Sequence, residues 1–362
     1  MAQPDLIVIN RFVPHTSTVP ANKGQRVGIY LHEKFSSETG ARFRTGGELK
    51  GRVVLFVHGN SVPSVPDFDL PFKNYSWMAY LAEAGFDTFS MDHTGYGFSP
   101  RPEMDNPCNL DENNQAILIP QLISEKCQPD YPHILSNSES DWDEIKTVVD
   151  FIRDLRGVDR VSLVGWSMGG PRAGGFAARY PEKIDKLVLY APAYETSQPS
   201  TSAPVNLPGD VPMTLQTKQA LMQDRWNNSV KCQDQIDPGI QDIIWQNIMG
   251  FDSSGSVWTR EGVMRVRIGE YRGWNRMYAG KVVAPTLILV GENDFLLPAA
   301  TELYPDLIAS NRKVLVKMEC ATHFAVWEET QYEFMHEASK EWLLYGSFRK
   351  NSEGVFRQPR KQ

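Results

Sequence analysis

Mostly apolar runs alternate with amphipathic stretches along much of the chain. The apolar runs predict buried strands at 52–57, 86–91, 161–164, 187–191, 286–290 and 313–318. Apolar residues at helical spacing predict helices at 74–84, 140–156, 172–180, 298–309 and 328–344. Strands that alternate with helices in this way form a mostly parallel sheet with helices on both faces. The pattern therefore predicts an α/β fold.

Two long regions interrupt this alternation. Residues 101–140 contain five prolines and no clean period, and they predict a long loop insertion. Residues 192–284 show tryptophan-rich helical stretches at 214–227, 237–249 and 262–277, and they predict a mainly helical cap. The expected organisation is a core of residues 1–191 and 285–362 with the cap of residues 192–284 inserted into it.

The two ends of the chain carry weaker signals. Strand-like runs occur at 6–9 and 26–32, followed by a polar, glycine-rich segment at 36–51 that predicts a turn. The polar tail from residue 349 onward is expected to fray.

Composition excludes several classes of function. The chain has 362 residues, and its hydrophobic content of 41% is that of a globular protein with a sizeable core. A net charge of −7 argues against a nucleic-acid partner, which requires a basic surface. No apolar run is long enough to span a bilayer. The first residues show no secretory signal, so we expect a cytoplasmic protein without a membrane span.

The four cysteines do not predict a metal site. Cys108, Cys127, Cys232 and Cys320 lack the C-x-x-C spacing of zinc or redox pairs, and we expect neither a metal nor a cofactor. Cys108 and Cys127 share one proline-rich segment, so they would bridge in an oxidising compartment and stay reduced otherwise. The sequence leaves that choice open.

One strand-to-helix connection carries a serine in a distinctive setting. The strand at 161–164 runs into Gly165-Trp166-Ser167-Met168-Gly169, and the helix at 172–180 follows. In this context G-x-S-x-G is typical of a tight turn that lifts a nucleophilic serine clear of the backbone. The N–H groups at the helix start favour negative charge that develops nearby. The sequence therefore predicts Ser167 as a nucleophile rather than as part of an ordinary turn.

Two more polar groups follow later strands. Asp294 ends a Gly-Glu-Asn-Asp segment after the strand at 286–290, and His323 follows the strand at 313–318. The carboxyl ends of parallel strands meet at one edge of a sheet, so we expect both residues beside Ser167. His323 would take the serine proton, and Asp294 would orient the imidazole and stabilise its protonated form.

Other residues compete for these roles. Glu195, just after the strand at 187–191, is the alternative acid, and His58 and His93 also follow strands. We favour His323 as the base because it follows the last predicted strand and small residues precede it. The structural alternatives are that His323 caps the final helix and that Asp294 begins a helix.

A tetrahedral intermediate needs N–H donors aimed at its oxygen. Met168 would supply one from the helix start. The second is expected from the loop after His58-Gly59, with the Asn60 N–H preferred and the Ser61 N–H as the alternative.

Aromatic residues suggest the substrate pocket. We select Trp166, Trp226, Trp245 and Trp274 as tentative substrate-binding residues that would roof Ser167 with an apolar surface. The alternative is that the cap aromatics form the cap's own core and that Trp166 packs beneath the turn. The first interpretation predicts a small-molecule, ester-type substrate with a medium-sized hydrophobic group.

These motifs together resemble the α/β-hydrolase superfamily. The resemblance rests on His58-Gly59, the segment Asp92 to Pro100, Gly165 to Gly170, Gly291 to Asp294 and Thr322-His323, and it extends over nearly the whole chain. The segment Gly-Trp-Ser-x-Gly-Gly is similar to that of microbial carboxylesterases in this superfamily. A serine at position 167, where epoxide hydrolases and haloalkane dehalogenases have aspartate, argues against those two activities.

The resemblance implies a serine hydrolase with the triad Ser167, Asp294 and His323. The preferred hypothesis is hydrolysis of a carboxylic ester or lactone through an acyl-enzyme. A C–C or amide bond hydrolase with the same triad is the first alternative. A non-catalytic ligand-binding protein on a hydrolase scaffold is the second.

Overall fold

A nine-stranded sheet forms the centre of the structure, a computed structural model that describes residues 5–45, 49–195 and 211–360. The strands, numbered along the chain, are β1 (Leu6–Thr16), β2 (Arg26–Ser36), β3 (Val53–Val57), β4 (Asp87–Met91), β5 (Ser136–Asn137), β6 (Val161–Trp166), β7 (Ile184–Tyr190), β8 (Met213–Gln216), β9 (Met264–Arg267), β10 (Gly269–Glu270), β11 (Thr286–Gly291), β12 (Lys313–Met318) and β13 (Glu353–Gln358). The central sheet has the order β1-β2-β4-β3-β6-β7-β11-β12-β13. The remaining strands form two small sheets, β10 with β5 and β8 with β9.

The central sheet is mostly parallel. Only β2 runs against its neighbours, pairing antiparallel with β1 and with β4. The α-helices are α1 (Ser37–Thr45), α2 (Ser64–Phe68), α3 (Trp77–Glu83), α4 (Glu112–Leu118), α5 (Ser138–Arg156), α6 (Gly169–Arg179), α7 (Ile240–Gly250), α8 (Gly255–Trp258), α9 (Arg276–Ala279), α10 (Leu297–Asp306) and α11 (Tyr332–Tyr345). Residues Ala220–Trp226 form a π-helical segment.

Alternate residues of the central strands point into two separate apolar cores. In β3, Val54 and Phe56 join the core that contains helices α3 and α11, whereas Val53, Leu55 and Val57 join the core that contains α5 and α6. Both faces of the sheet are therefore covered by helices, which is why the central strands are apolar without interruption. The predicted α/β architecture is confirmed.

The region between β7 and β11 differs from its prediction. A helix was expected at 214–227, but Met213–Gln216 is a strand and pairs antiparallel with Met264–Arg267, inside the helix expected at 262–277. Met-Thr-Leu-Gln and Met-Arg-Val-Arg both alternate apolar and polar residues, which is the period of a strand. The expectation of a mainly helical cap is wrong at these two segments. At the third expected helix, 237–249, the structure has α7, which begins at Ile240 and ends at Gly250.

Three other segments are more ordered than the sequence suggested. The expected turn at 36–51 contains helix α1, and the expected frayed tail contains β13, which pairs with β12. Within the 101–140 insertion, helix α4 begins at the N-cap Asp111, whose carboxylate accepts N–H groups of Asn113 and Asn114. Among the helices of the described ranges, none is long and apolar enough to cross a membrane.

Both cysteine pairs are disulfide-bonded. Cys108 joins Cys127 within the 101–140 insertion, and Cys232 joins Cys320 across 88 residues of sequence. The second bridge ties the region between β7 and β11 to the loop that carries His323. Disulfides persist in oxidising compartments and are rare in the cytosol, so both bridges would require an oxidising compartment to persist.

Replacing Cys232 and Cys320 together by serine is expected to lower the free energy of unfolding by up to about 4 kcal/mol, because an open loop of that length gains chain entropy on unfolding. Denaturant unfolding, monitored by tryptophan fluorescence, measures the change. The matched control is the double serine variant of Cys108 and Cys127, whose shorter loop predicts a smaller loss. Free thiols at these positions in the unreduced protein would contradict the assignment.

Candidate active site

Ser167 lies in a tight turn between β6 and α6. Its φ of 57° is in the left-handed region that non-glycine residues rarely occupy, and its N–H donates to the Tyr190 carbonyl at 3.0 Å. The turn is possible because neighbouring backbone approaches closely: a Cβ on Gly169 would lie 2.2 Å from the Val57 carbonyl oxygen, and one on Gly165 would lie 2.5 Å from the Gly169 carbonyl oxygen. The two glycines of the motif are therefore required by packing.

His323 and Asp294 form a hydrogen-bonded pair. The His323 Nδ1 lies 3.0 Å and 3.1 Å from the two carboxylate oxygens of Asp294, and both side chains are buried. Asp294 follows β11, and the backbone N–H of Leu296 also donates to its carboxylate at 2.8 Å. An acceptor at Nδ1 fixes the tautomer that leaves Nε2 free to accept a proton.

The loop that carries His323 is held by hydrogen bonds from side chains of strands β6 and β7. The Trp166 indole N–H donates to the His323 carbonyl at 3.1 Å. The Tyr190 hydroxyl donates to the Thr322 carbonyl at 2.9 Å and accepts from the Ala325 N–H at 2.8 Å. Strands β6 and β7 thus set the position of the imidazole relative to Ser167.

Glu328 connects the same loop to the region between β7 and β11. Its buried carboxylate accepts the N–H and hydroxyl of Thr322, the indole N–H of Trp226 at 2.9 Å and the side-chain amide of Gln235 at 2.8 Å. Burial raises the pKa of Glu328, although these donors counteract the effect in part. With the Cys232–Cys320 bridge, Glu328 gives the loop two ties to that region.

The rival residues have other partners. Glu195 accepts from the Asn275 side-chain amide at 3.3 Å. His93 is fully buried, and its Nδ1 lies 2.8 Å from a carboxylate oxygen of Glu144. The Nδ1 of His58 lies 2.7 Å from the Gly59 carbonyl oxygen. Burial lowers the pKa of both histidines. Of the residues weighed from the sequence, Asp294 is the carboxylate that contacts His323.

The loop after β3 lies against the nucleophile turn. A Cβ on Gly59 would lie 3.1 Å from the Ser167 Cβ and from the Trp166 carbonyl oxygen. The next residues, Asn60 and Ser61, line the same cavity as Ser167. Ser61 has a φ of 90°, and its N–H donates to the Tyr96 hydroxyl at 3.4 Å. Because that N–H already has an acceptor, the geometry favours Asn60 over Ser61 as the oxyanion donor.

Arg172 fixes this loop. Its Nη1 donates to the His58 carbonyl at 2.9 Å and to the Gly59 carbonyl at 2.7 Å, while its Nε donates to Asp141 at 2.9 Å. The side chain is 1% exposed. Arg172 belongs to α6, so the helix behind Ser167 also holds the loop that faces Ser167.

Asp141 is the centre of a buried charge cluster. Arg267, from strand β9, donates to both of its carboxylate oxygens at 2.6 Å, and Arg172 donates from the other side. Although desolvation opposes ionisation, the two arginines hold the pKa of Asp141 below its ordinary value. Ligand atoms of His93, Asp141 and Glu144 lie within 4.8 Å of one another. The arginines already neutralise Asp141, so we assign the cluster as structural.

A small cavity of about 90 Å³ contains the candidate catalytic groups. Its walls, within the described ranges, are formed by Gly59, Asn60, Ser61, Val62, Asp67, Trp166, Ser167, Leu221, Arg225, His323 and Phe324. A larger cleft of about 780 Å³ lies near Gly51 and Asp159, at the opposite ends of the strands, and contains neither Ser167 nor His323. Ligands of parallel sheets bind at the carboxyl ends of the strands, so the small cavity is the candidate site.

The four selected tryptophans occupy different environments. Trp166 lines the cavity, whereas Trp226 is fully buried against Trp327 and Phe324 and bonds to Glu328. Trp245 is buried between apolar residues, with its indole N–H on the Glu261 carbonyl. Trp274 packs on α6 at Gly174 and lines a separate cavity beside Met168 and Glu195. Within the described residues, Trp226, Trp245 and Trp274 support the walls around the site rather than forming its surface.

Sequence reasoning missed the charged residues of the site. Asp67 and Arg225 line the cavity, and Arg172 and Arg267 support it. Arg172 is part of the Gly-Gly-Pro-Arg segment after the motif, and Arg267 belongs to the alternating Met-Arg-Val-Arg run, so both carried a local signal. Asp67 and Arg225 stand in polar segments with nothing to distinguish them from solvated residues.

Comparison with known proteins agrees with the fold. Residues 52–330 match the family model described as the alpha/beta hydrolase fold. The human serine hydrolase BPHL is 29% identical over 148 residues, which is 41% of this chain and 38% of that protein, so the match extends over less than half of its length.

Two solved structures are similar over almost the whole fold. A thermophilic esterase from Thermogutta terrifontis has a TM-score of 0.54 at 18% identity, with 93% of this chain and 99% of that chain covered. The 2-hydroxy-6-oxo-6-phenylhexa-2,4-dienoate hydrolase from Rhodococcus has a TM-score of 0.53 at 14% identity, with the same coverage. At these identities the likeness concerns the fold, and the family match over residues 52–330 shows that the chain belongs to the α/β-hydrolase family.

Proposed function

We propose that this protein is a serine hydrolase that cleaves a carboxylic ester or lactone through an acyl-enzyme. The observation that carries the proposal is the shared cavity of Ser167 and His323, with Asp294 on the imidazole Nδ1. The Ser167 Oγ attacks the carbonyl carbon, and His323 Nε2 takes its proton and passes it to the leaving alcohol. Water, activated by the same imidazole, then hydrolyses the acyl-enzyme.

The developing oxyanion would be stabilised by two backbone donors. We assign the Met168 N–H, at the start of α6, and the Asn60 N–H, in the loop held by Arg172. Donors fixed before the reaction do not reorganise as charge develops, which makes this contribution large.

We further propose that residues 192–284 act as a cap on the core of residues 1–191 and 285–362. Trp166, Val62, Leu221 and Phe324 contribute apolar side chains to a cavity wall that also contains the cation of Arg225. These apolar side chains support a medium-sized hydrophobic group on the substrate. A chain-length series of p-nitrophenyl esters and lactones measures this preference, and faster turnover of acetate esters than of longer ones would contradict it.

A C–C bond hydrolase with the same triad is the second candidate function. Arg225 has no ion-pair partner in the described part of the chain, and although solvent reaches the residue, desolvation lowers its pKa. An unpaired guanidinium beside Ser167 suits an acidic substrate, such as the dienoate named for the Rhodococcus neighbour. A carboxylated C–C substrate belongs in the same panel, and preferential turnover of it would replace the ester assignment. No single observation favours an amide substrate.

Ser167→Ala is expected to lower kcat on the best ester by about 10⁴-fold or more, because the nucleophile is removed. The matched control is Ser162→Ala on the same strand, which deletes a buried hydroxyl without a hydrogen-bond partner and should leave kcat unchanged. A fluorophosphonate should label the wild-type protein at Ser167 alone. Binding without turnover or labelling would instead indicate a ligand-binding protein.

Asp294→Asn is expected to lower kcat by about 10⁴-fold, because the amide no longer stabilises the imidazolium and favours the wrong tautomer. Glu195→Gln, the change at the rival acid, should leave kcat unchanged because Glu195 contacts Asn275 instead. Steady-state kinetics of the two variants compare the assignments directly. The reverse order of effects would move the acid role to Glu195.

Arg172→Lys is expected to lower kcat about tenfold to a hundredfold with little change in KM. The reason is that an ammonium group cannot donate at once to Asp141 and to the two backbone carbonyls that the planar guanidinium binds. Arg179→Lys, on the same helix, is the control and should retain activity. Thermal unfolding of both variants separates misfolding from a displaced loop. A purely KM effect would show that Arg172 does not position the oxyanion donor.

A further inference from the structure

Asp67 is a buried carboxyl group in the wall of the Ser167 cavity. It belongs to the short helix α2, which follows the oxyanion loop directly, and the residue is 2% exposed. The start of α2 is fixed by the Ser64 N–H, which donates to Asp92 at 2.8 Å. The position of Asp67 is therefore set by the same segment that supplies Asn60.

Neither carboxyl oxygen of Asp67 has a hydrogen-bond partner among the described residues. The nearest charged groups, Asp92 and Arg172, have partners of their own: Asp92 accepts N–H groups of Ser64 and Phe98, and Arg172 is bound to Asp141 and two carbonyls. Buried polar groups in proteins are nearly always paired. Asp67 is thus an exception, and it is one of the residues that line the Ser167 cavity.

Asp69, two residues along the chain, is a buried carboxylate that does have hydrogen-bond partners. It bonds to His32 at 2.8 Å, to Lys34 at 2.5 Å and to the Ser76 hydroxyl at 2.5 Å. Although desolvation opposes it, these partners lower the pKa of Asp69. Asp67 therefore differs from Asp69 in having no hydrogen-bond partner for its carboxyl among the described residues.

The environment of Asp67 favours its neutral acid. Burial raises the pKa of Asp67 well above its ordinary value, and the negative charge of Asp92 adds to the effect. The Gly59 N–H, which lies near the carboxyl without completing a hydrogen bond, and Arg172 counteract it in part. A neutral carboxylic acid carries an O–H donor, which an ionised carboxylate lacks.

We propose that Asp67 is a specificity residue that donates its carboxylic O–H to an oxygen atom of the substrate. The preferred substrates are then keto, hydroxy or alkoxy esters and lactones, in which an oxygen lies a few bonds from the scissile carbonyl. This inference rests on the proposed Ser167 site and adds a polar requirement to its apolar pocket. A wholly hydrocarbon group would leave the buried O–H unpaired, and sites built on a hydrogen bond reject analogues that lack the acceptor.

The pH dependence has a definite sign. The acid form of Asp67 is the donor, so the preference for an oxygenated ester should fall as pH rises and Asp67 ionises. The other titratable groups of the cavity are His323 and Arg225, and those packed near Asp67 are Asp92 and Arg172. Comparing two esters at each pH cancels any pH dependence that the two reactions share.

The test compares p-nitrophenyl butyrate with p-nitrophenyl methoxyacetate, which differ by one oxygen in place of a methylene group. A second pair, butyl and methoxyethyl butyrate, places the oxygen in the alcohol. The ratio of kcat/KM within each pair is measured from mildly acidic to alkaline pH for wild type, Asp67→Asn and Asp67→Leu. Asp242→Asn, an exposed ion-pair residue, is the matched control.

The expected result is that Asp67→Leu reduces the oxygenated-to-plain ratio about tenfold or more in one pair, the loss typical of an unmade hydrogen bond in a buried site. Asp67→Asn should keep the ratio, since its amide also donates, and should lose the alkaline fall. If Asp67→Leu does not fold, disappearance of the alkaline fall in Asp67→Asn decides the question.

Unchanged ratios in both pairs would overturn the inference. Equal losses of kcat/KM on plain and oxygenated esters in Asp67→Asn would also overturn the inference. That result would indicate that Asp67 is an ionised acceptor for the Gly59 N–H. Failure of the proposed function is distinguishable, since hydrolysis would then persist in Ser167→Ala whatever the effect of Asp67. An active wild type that is inactivated by Ser167→Ala but indifferent to Asp67 would reject this inference alone.

Discussion

The buried contact between Arg172 and Asp141 is the interaction on which the rest of the site depends. It joins helix α6, which begins behind Ser167, to helix α5, and the same guanidinium holds the His58 and Gly59 carbonyls. Arg267 brings strand β9 to the same carboxylate. Removing Asp141 would leave two buried guanidinium groups uncompensated, at a cost of about 3–5 kcal/mol. The turn that carries Ser167, the loop at His58-Gly59 and strand β9 are therefore fixed relative to one another by one charge cluster.

The loop that carries His323 is held by a different kind of contact. Hydroxyl and indole groups of Tyr190 and Trp166 bond to its backbone from the sheet side. Glu328 and the Cys232–Cys320 bridge hold it from the side of the cap. The position of His323 thus depends on contacts from two parts of the chain, and large aromatic residues near the site act as structural supports. Trp226, for example, bonds to Glu328 rather than facing the cavity.

The wall of the cavity combines apolar and polar side chains. Val62, Trp166, Leu221 and Phe324 contribute apolar side chains, whereas Asn60, Ser61, Asp67 and Arg225 contribute polar ones. A buried carboxyl without a hydrogen-bond partner among the described residues is the basis of the specificity role that we propose for Asp67. The two charged or acidic residues of the wall, Asp67 and Arg225, are therefore the features that separate this site from a simple apolar acyl pocket.

The sequence by itself determined the parallel sheet and the candidate nucleophile, because uninterrupted apolar strands and the G-x-S-x-G turn are local patterns. The same reasoning led to Asp294 and His323, since strand ends meet at one edge of a sheet. Only the tertiary structure decided the pairing of Cys232 with Cys320, the strand at Met264–Arg267 and the burial of Asp67. These features depend on contacts between residues far apart in the chain, and a charged residue looks the same in sequence whether it is solvated, ion-paired or left unpaired beside a substrate.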